Sequence, residues 1–146
     1  MANAQLKCYL TVAVCTLLSG CNTKGYDLAP VSGVVTLDGK PIPGTLVNFQ
    51  PVGKDGKVPG PGSTGRCDEA GRYSLKTIRD DPGAVVGTHR VRIYSFSPES
   101  PVSQDSGVGL PKEQFPNRYN YDSSLTFDVE SSGSEAADFK LTAGSQ

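Results

Sequence analysis

The chain has 146 residues and a formal net charge of −1 at pH 7, with 17 Gly, 11 Pro, one His and no Trp. Without a basic excess or a run of Lys and Arg, nucleic-acid binding has no electrostatic basis. The turn-rich composition suits one all-β domain built from many short strands.

The first element is a targeting segment. Lys7 precedes an apolar stretch, Cys8 to Leu18, which runs into Leu18-Ser19-Gly20-Cys21. A positive residue, a short apolar core and small residues ahead of a cysteine form a bacterial lipobox. Residues 8–18 would span only about 16 Å as a helix, against about 30 Å for a bilayer core, which argues against an uncleaved membrane anchor. A plain secretory signal is the other alternative. The expectation is a signal peptide at 1–20, cleavage between Gly20 and Cys21, and a diacylglyceryl thioether on Cys21. Two acyl chains are enough for stable anchoring. The protein is therefore expected on the extracytoplasmic side of the cell envelope, attached to a membrane through Cys21. Loss of Lys7 with the signal changes the net charge from −1 to −2.

Residues 21–29 read as a short polar tether, and 30–146 as the domain. Val31 to Leu37 is β-branched and leads into the turn signal Asp38-Gly39-Lys40-Pro41. Thr45 to Gln50 alternates, with Val47 and Phe49 on one face and Leu46 on the other; the two runs are expected to form a hairpin. Pro51 to Gly62 has no packing period. Ser63 to Cys67 and Arg72 to Leu75, joined by Asp68-Glu69-Ala70-Gly71, read as a second hairpin, with Tyr73 and Leu75 on one face. Gly87 to Phe96 is the clearest strand. His89, Val91, Ile93 and Ser95 face one way, and Arg90, Arg92, Tyr94 and Phe96 the other.

Residues 97–123 form a long irregular stretch whose second half, Leu110 to Tyr121, carries aromatics able to pin it to the domain. Leu125 to Glu130 and Ala137 to Leu141 alternate and complete a count of seven strands. Seven strands without a convincing helix imply a two-sheet β-sandwich.

The chemistry-bearing residues are sparse. With Cys8 and Cys15 in the signal and Cys21 lipidated, Cys67 stands alone, so no intramolecular disulfide is expected. It reads as a small buried hydrophobe in a strand. His89 reads as a packed strand residue, and one His with one free Cys cannot supply the three ligands a zinc site needs. Asp68-Glu69 and Asp80-Asp81 read as turn formers instead of calcium ligands. No catalytic set, metal site or cofactor is expected. The candidate binding face is Arg90, Arg92, Tyr94 and Phe96, a strand face able to stack a sugar ring or a partner; a solvated face with snorkelling arginines is the plainer alternative.

Val31 to Gly44, with Val47 and Phe49 beyond it, resembles the G-x-V-T-x-x-G-x-P-x-x-G-x-x-V-x-F opening of carboxypeptidase regulatory-like, transthyretin-like domains. Thr64 to Tyr73 resembles the T-D-x-x-G-x-Y hairpin of that family, and Gly87 to Ile93 its G-x-Y-x-V-x-V strand, with His89 where an aromatic is common. Lys112 to Val129 resembles the ending of short bacterial lipoproteins of this kind. The resemblance spans nearly all of 31–142 and implies a seven-stranded prealbumin-like sandwich. In carboxypeptidases such a domain is an accessory beside the catalytic one. Hydroxyisourate hydrolases of the wider sandwich group end in Tyr-Arg-Gly-Ser; this chain has Leu141-Thr142-Ala143-Gly144-Ser145-Gln146 there, so that activity is not implied. The expected function is a non-enzymatic structural or protein-interaction module of the envelope. The alternative is a carbohydrate-binding or small-ligand module, the partner being an envelope protein or a glycan.

Overall fold

Alternating apolar residues force strands to bury one face, and two such faces must find each other. The computed structural model describes residues 25–53, 57, 59–96 and 112–144. The signal peptide, Gly20, Cys21 and the first half of the 97–123 stretch lie outside the described residues.

Eleven strand segments occur among the described residues: β1 (Leu28–Ala29), β2 (Ser32–Leu37), β3 (Lys40–Pro41), β4 (Leu46–Pro51), β5 (Ser63–Arg66), β6 (Arg72–Ser74), β7 (Lys76–Thr77), β8 (Ala84–Val85), β9 (Gly87–Tyr94), β10 (Thr126–Val129) and β11 (Phe139–Leu141). Where sequence reading expects seven, the four additional segments are each two residues long, too short for any alternation to register. A five-stranded sheet runs β10-β9-β4-β5-β7. A second sheet runs β11-β2-β3, with β6 also paired to β2. β1 and β8 form a small separate ladder. The result is an all-β, β-sandwich-like architecture.

Neither expected hairpin forms. β2 pairs with β3, β6 and β11, whereas β4 pairs with β5 and β9. The Asp38-Gly39 turn does close a hairpin, but only the short one from β2 to β3; both turn residues have positive φ, at 49° and 80°. The Pro43-Gly44 turn follows, and the chain continues as β4 in the opposite sheet. The second pair separates similarly, β5 joining β4 and β7 while β6 joins β2. Gly71 closes the turn between them at φ 75°, its carbonyl accepting from the Val35 amide. Local turn chemistry reads correctly in both places; the layer to which each strand then belongs is a non-local property.

The inward faces form one apolar core. Val47, Phe49, Val91 and Ile93 are fully buried on the five-stranded sheet, opposite Val35, Phe139 and Leu141 of the other. Phe49 lies at the centre, with ring centroids 5.5 Å from His89, 5.6 Å from Phe127 and 6.1 Å from Phe139. Its contact with Phe139 joins the two layers. Tyr73 adds a polar tie: its hydroxyl donates to the Ala137 carbonyl at 2.6 Å. Gly33 faces the same carbonyl so closely that any Cβ would collide with it, which is why the residue paired with Tyr73 in β2 has no side chain.

Residues ahead of Pro30 take part in the fold. Leu28 and Ala29 pair with Val85 and Ala84, Ala29 is buried, and the Asp27 carbonyl accepts from the Val86 amide. At the other end of β9, Glu113 ties the segment from Lys112 to Phe115 to the strand end. Its carboxylate accepts from the Ser95 amide at 3.0 and 3.2 Å and from the Phe115 amide at 2.9 Å. Phe115 is buried against the core and leads into a single 3-10 turn, Asn117–Tyr119.

Candidate cationic groove on the five-stranded sheet

Strand alternation that sends Val91 and Ile93 inward sends Arg90, Arg92 and Tyr94 outward, and β4 and β5 obey the same rule. The pairing register sets these outward residues in rows. Tyr94 stands beside Leu46, which stands beside Arg66. In the next row, Arg92, Asn48, Thr64 and Lys76 cross four strands. The third row is Gln50, Arg90 and Thr126. Two concavities of about 500 and 360 Å³ lie on this face and share Asn48 and Tyr94, so they form one groove. Its larger part is lined by Leu46, Thr64, Arg66, Lys76 and Asp80, and its smaller part by Gln50, Gly60, Gly62 and Arg92.

The guanidinium groups on this face are held by neutral partners. Arg92 donates to the Gln50 side-chain oxygen at 2.6 Å, and Arg66 to the Gly44 carbonyl at 3.0 Å. Such bonds fix direction without cancelling charge. Asp80, also in the groove lining, pairs with Lys76 at 3.0 Å and offsets its charge, while Asp128 accepts from the Thr88 hydroxyl and Glu113 from backbone amides. Among the described residues, Arg66, Arg90 and Arg92 form no ion pair. Arg66, Arg90, Arg92 and Lys76 thus share the sheet face with Asp80 and Asp128, which leaves a modest positive excess there. Tyr94 packs edge-on against Tyr121 at 5.6 Å, and Tyr121 is largely exposed. Burial pushes the Tyr94 phenol up, against the pull of Arg92, so it remains a hydroxyl donor at neutral pH.

Comparison with family models, curated proteins and solved structures finds no match. The site therefore rests on its own geometry.

Of the four residues expected to form a binding face, Arg92 and Tyr94 line the groove. Arg90 lies on the same sheet face in the adjoining row, and Phe96 lies past the end of β9, half-buried, outside the groove lining. Sequence reading missed Asn48, Gln50, Thr64, Arg66 and Lys76. The alternation of β4 marks Asn48 and Gln50 as outward-facing, but only the sheet order brings β5 and β7 alongside them.

The other chemistry-bearing residues face the core. His89 is fully buried; its Nε2–H donates to the Val85 carbonyl at 2.6 Å, which fixes the tautomer. Desolvation lowers its pKa, against the opposing pull of the Val85 and Phe49 carbonyls and the Asp128 carboxylate. Cys67 is buried, just past β5, its thiol pushed up to about 11 by desolvation and by Asp68. Asp68 serves its turn: Oδ1 accepts from the Ala70 and Arg72 amides, both at 2.9 Å.

Proposed function

We propose that this chain is a membrane-anchored envelope lipoprotein whose sandwich, of the prealbumin-like, carboxypeptidase regulatory-like type, works by binding through the outer face of the five-stranded sheet. The observation that carries the reading is the groove across β9, β4 and β5, where directed but uncompensated guanidinium groups alternate with amide and hydroxyl side chains. The family assignment is supported by the order of turn-and-strand motifs from Val31 to Val129 and by two sheets sharing one core. The membrane assignment is supported by the lipobox ending at Cys21.

A non-catalytic role is favoured by the placement of the reactive groups. The imidazole of His89 and the thiol of Cys67 both face the core, and neither can act as base or nucleophile towards a ligand on the outer sheet face. Arginine, amide, hydroxyl and phenol groups bind and orient.

The test is site-specific photo-crosslinking in intact cells. A photoreactive residue at Thr64, within the groove, should capture a discrete envelope protein or glycan. The same residue at Lys140, on the outer face of the opposite sheet, should not. Equal capture from both positions would refute the assignment of the binding face. Metabolic labelling with a fatty-acid analogue tests the anchor separately: label should enter the native chain and be lost in Cys21→Ala, and retention of label in that variant would refute it.

A further inference from the structure

Resting on the binding face just proposed, we infer that its ligand is an anionic polysaccharide, a linear glycan bearing carboxylate or similar acidic groups. The argument begins with the spacing of charge. Adjacent strands lie about 4.8 Å apart and same-face residues along a strand about 7 Å apart. Arg92 and Arg66 are separated by two strand spacings and one row, which places their backbones about 12 Å apart on the sheet. Arg90 adds a third guanidinium one row beyond Arg92. A small anion is recognised by donors converging on one point. These guanidinium groups instead diverge over a distance longer than one sugar ring, and suit a chain whose acidic groups recur at intervals.

Between the cations stand Asn48, Gln50 and Thr64, each offering donor and acceptor atoms to ring hydroxyls. Tyr94, buttressed by Tyr121, supplies an aromatic edge where the two concavities meet. Amide, hydroxyl and aromatic groups interleaved with arginine describe a surface for hydroxylated rings that carry negative charge. A nucleic acid is the less suitable occupant, because arginines rooted about 7–12 Å apart are sparse against a duplex that carries one negative charge per about 1.7 Å of its axis, and match a polymer with wider charge spacing. Exposed guanidinium groups also predict strong screening by salt.

The experiment uses the full, lipidated chain in detergent micelles. Binding is measured to immobilised polygalacturonate, to dextran as a neutral glycan, to phosphatidylglycerol vesicles and to a single-stranded DNA oligomer. Polygalacturonate should bind best, and the double variant Arg66→Gln/Arg92→Gln should bind about tenfold more weakly, as expected for two partly exposed charge contacts. Binding should fall steeply between about 0.1 M and about 1 M salt, where the screening length shrinks from about 10 Å to about 3 Å. Lys140→Gln should bind as the parent chain does, and unchanged thermal midpoints would show that each variant is folded. Dextran binding as tight as polygalacturonate and indifferent to salt would overturn the inference, as would equal binding of DNA or vesicles. If crosslinking from Thr64 still captures a partner while polygalacturonate fails, the anionic-glycan inference falls and the binding face stands. If Thr64 captures nothing that Lys140 does not, the face itself falls.

Discussion

Removing one oxygen atom from Tyr73 should loosen the second sheet measurably. The Tyr73 hydroxyl is buried, its side chain is 3% exposed, and it donates to the Ala137 carbonyl at 2.6 Å. Burial holds the phenol protonated well beyond its ordinary range, so the donor persists at every working pH. Tyr73→Phe preserves the packing of the ring and leaves the Ala137 carbonyl short of a donor in a dry environment, at a cost of about 2 kcal/mol. For a domain of this size that lowers the thermal midpoint by about 6–10 °C. The assay is urea denaturation of the full chain with Tyr94→Phe as control, because Tyr94 is only half-buried and its loss should cost under about 0.5 kcal/mol. The midpoint should shift with the denaturant slope unchanged. Gly33→Ala pushes against the same carbonyl, so Tyr73→Phe and Gly33→Ala should combine non-additively. A loss below about 0.5 kcal/mol for Tyr73→Phe, or strict additivity with Gly33→Ala, would refute the view that one carbonyl organises this layer.

Three further outcomes follow from buried and turn residues. His89 is the single histidine, and its pKa is lowered in the fold, so the unfolded chain takes up the proton first. Stability should hold above the unfolded value near 6.5 and fall as the pH drops below it towards the folded value, by at most about 1.4 kcal/mol per pH unit; His89→Leu should remove that slope, and a slope that survives in denaturation curves of the variant would contradict the assignment. Cys67, with its thiol near 11, should react with a thiol reagent at pH 8 at least about a hundredfold more slowly than in denaturant, and comparable rates would mean that it is accessible. Asp68→Ala strips two amides of their acceptor and should cost about 1 kcal/mol in melting experiments, whereas Asp68→Asn should recover most of it.

Periodicity made much of this fold legible in advance. The alternation in Gly87 to Phe96 correctly separates the core residues His89, Val91 and Ile93 from the outward Arg90, Arg92 and Tyr94, because facing is a property of neighbours along the chain. Turn chemistry was legible for the same reason: Asp38-Gly39 closes a two-residue turn and Asp68 caps another. Pairing was not. A turn states that the chain reverses, but whether the next strand returns beside the first or passes to the other layer depends on which apolar faces meet in the finished core. Hence β2 and β4, and then β5 and β6, were expected as hairpins and instead lie in different sheets. The groove shares that limit. Arg92 and Tyr94 could be named from one strand, whereas Arg66 and Lys76 reach the same surface only through a sheet order that no local signal encodes.

The two-residue ladder between β1 and β8 acquires a mechanical meaning if the chain is tied to a membrane at Cys21 and holds a polymer on its sheet face. On that proposal the domain is a link under tension, and the pull first meets the Asp27–Val86 backbone bond and the ladder beside it. Two residue pairs yield easily, and releasing Leu28 and Ala29 pays out slack of about 3.5 Å per residue. The load then meets Pro30 and Val31, held by backbone bonds to Ser134 and Leu75, and after them β2, which is paired with β3, β6 and β11. On the proposed anchor, the two-pair ladder would yield first, and β2, held by three strands, would keep the sandwich together.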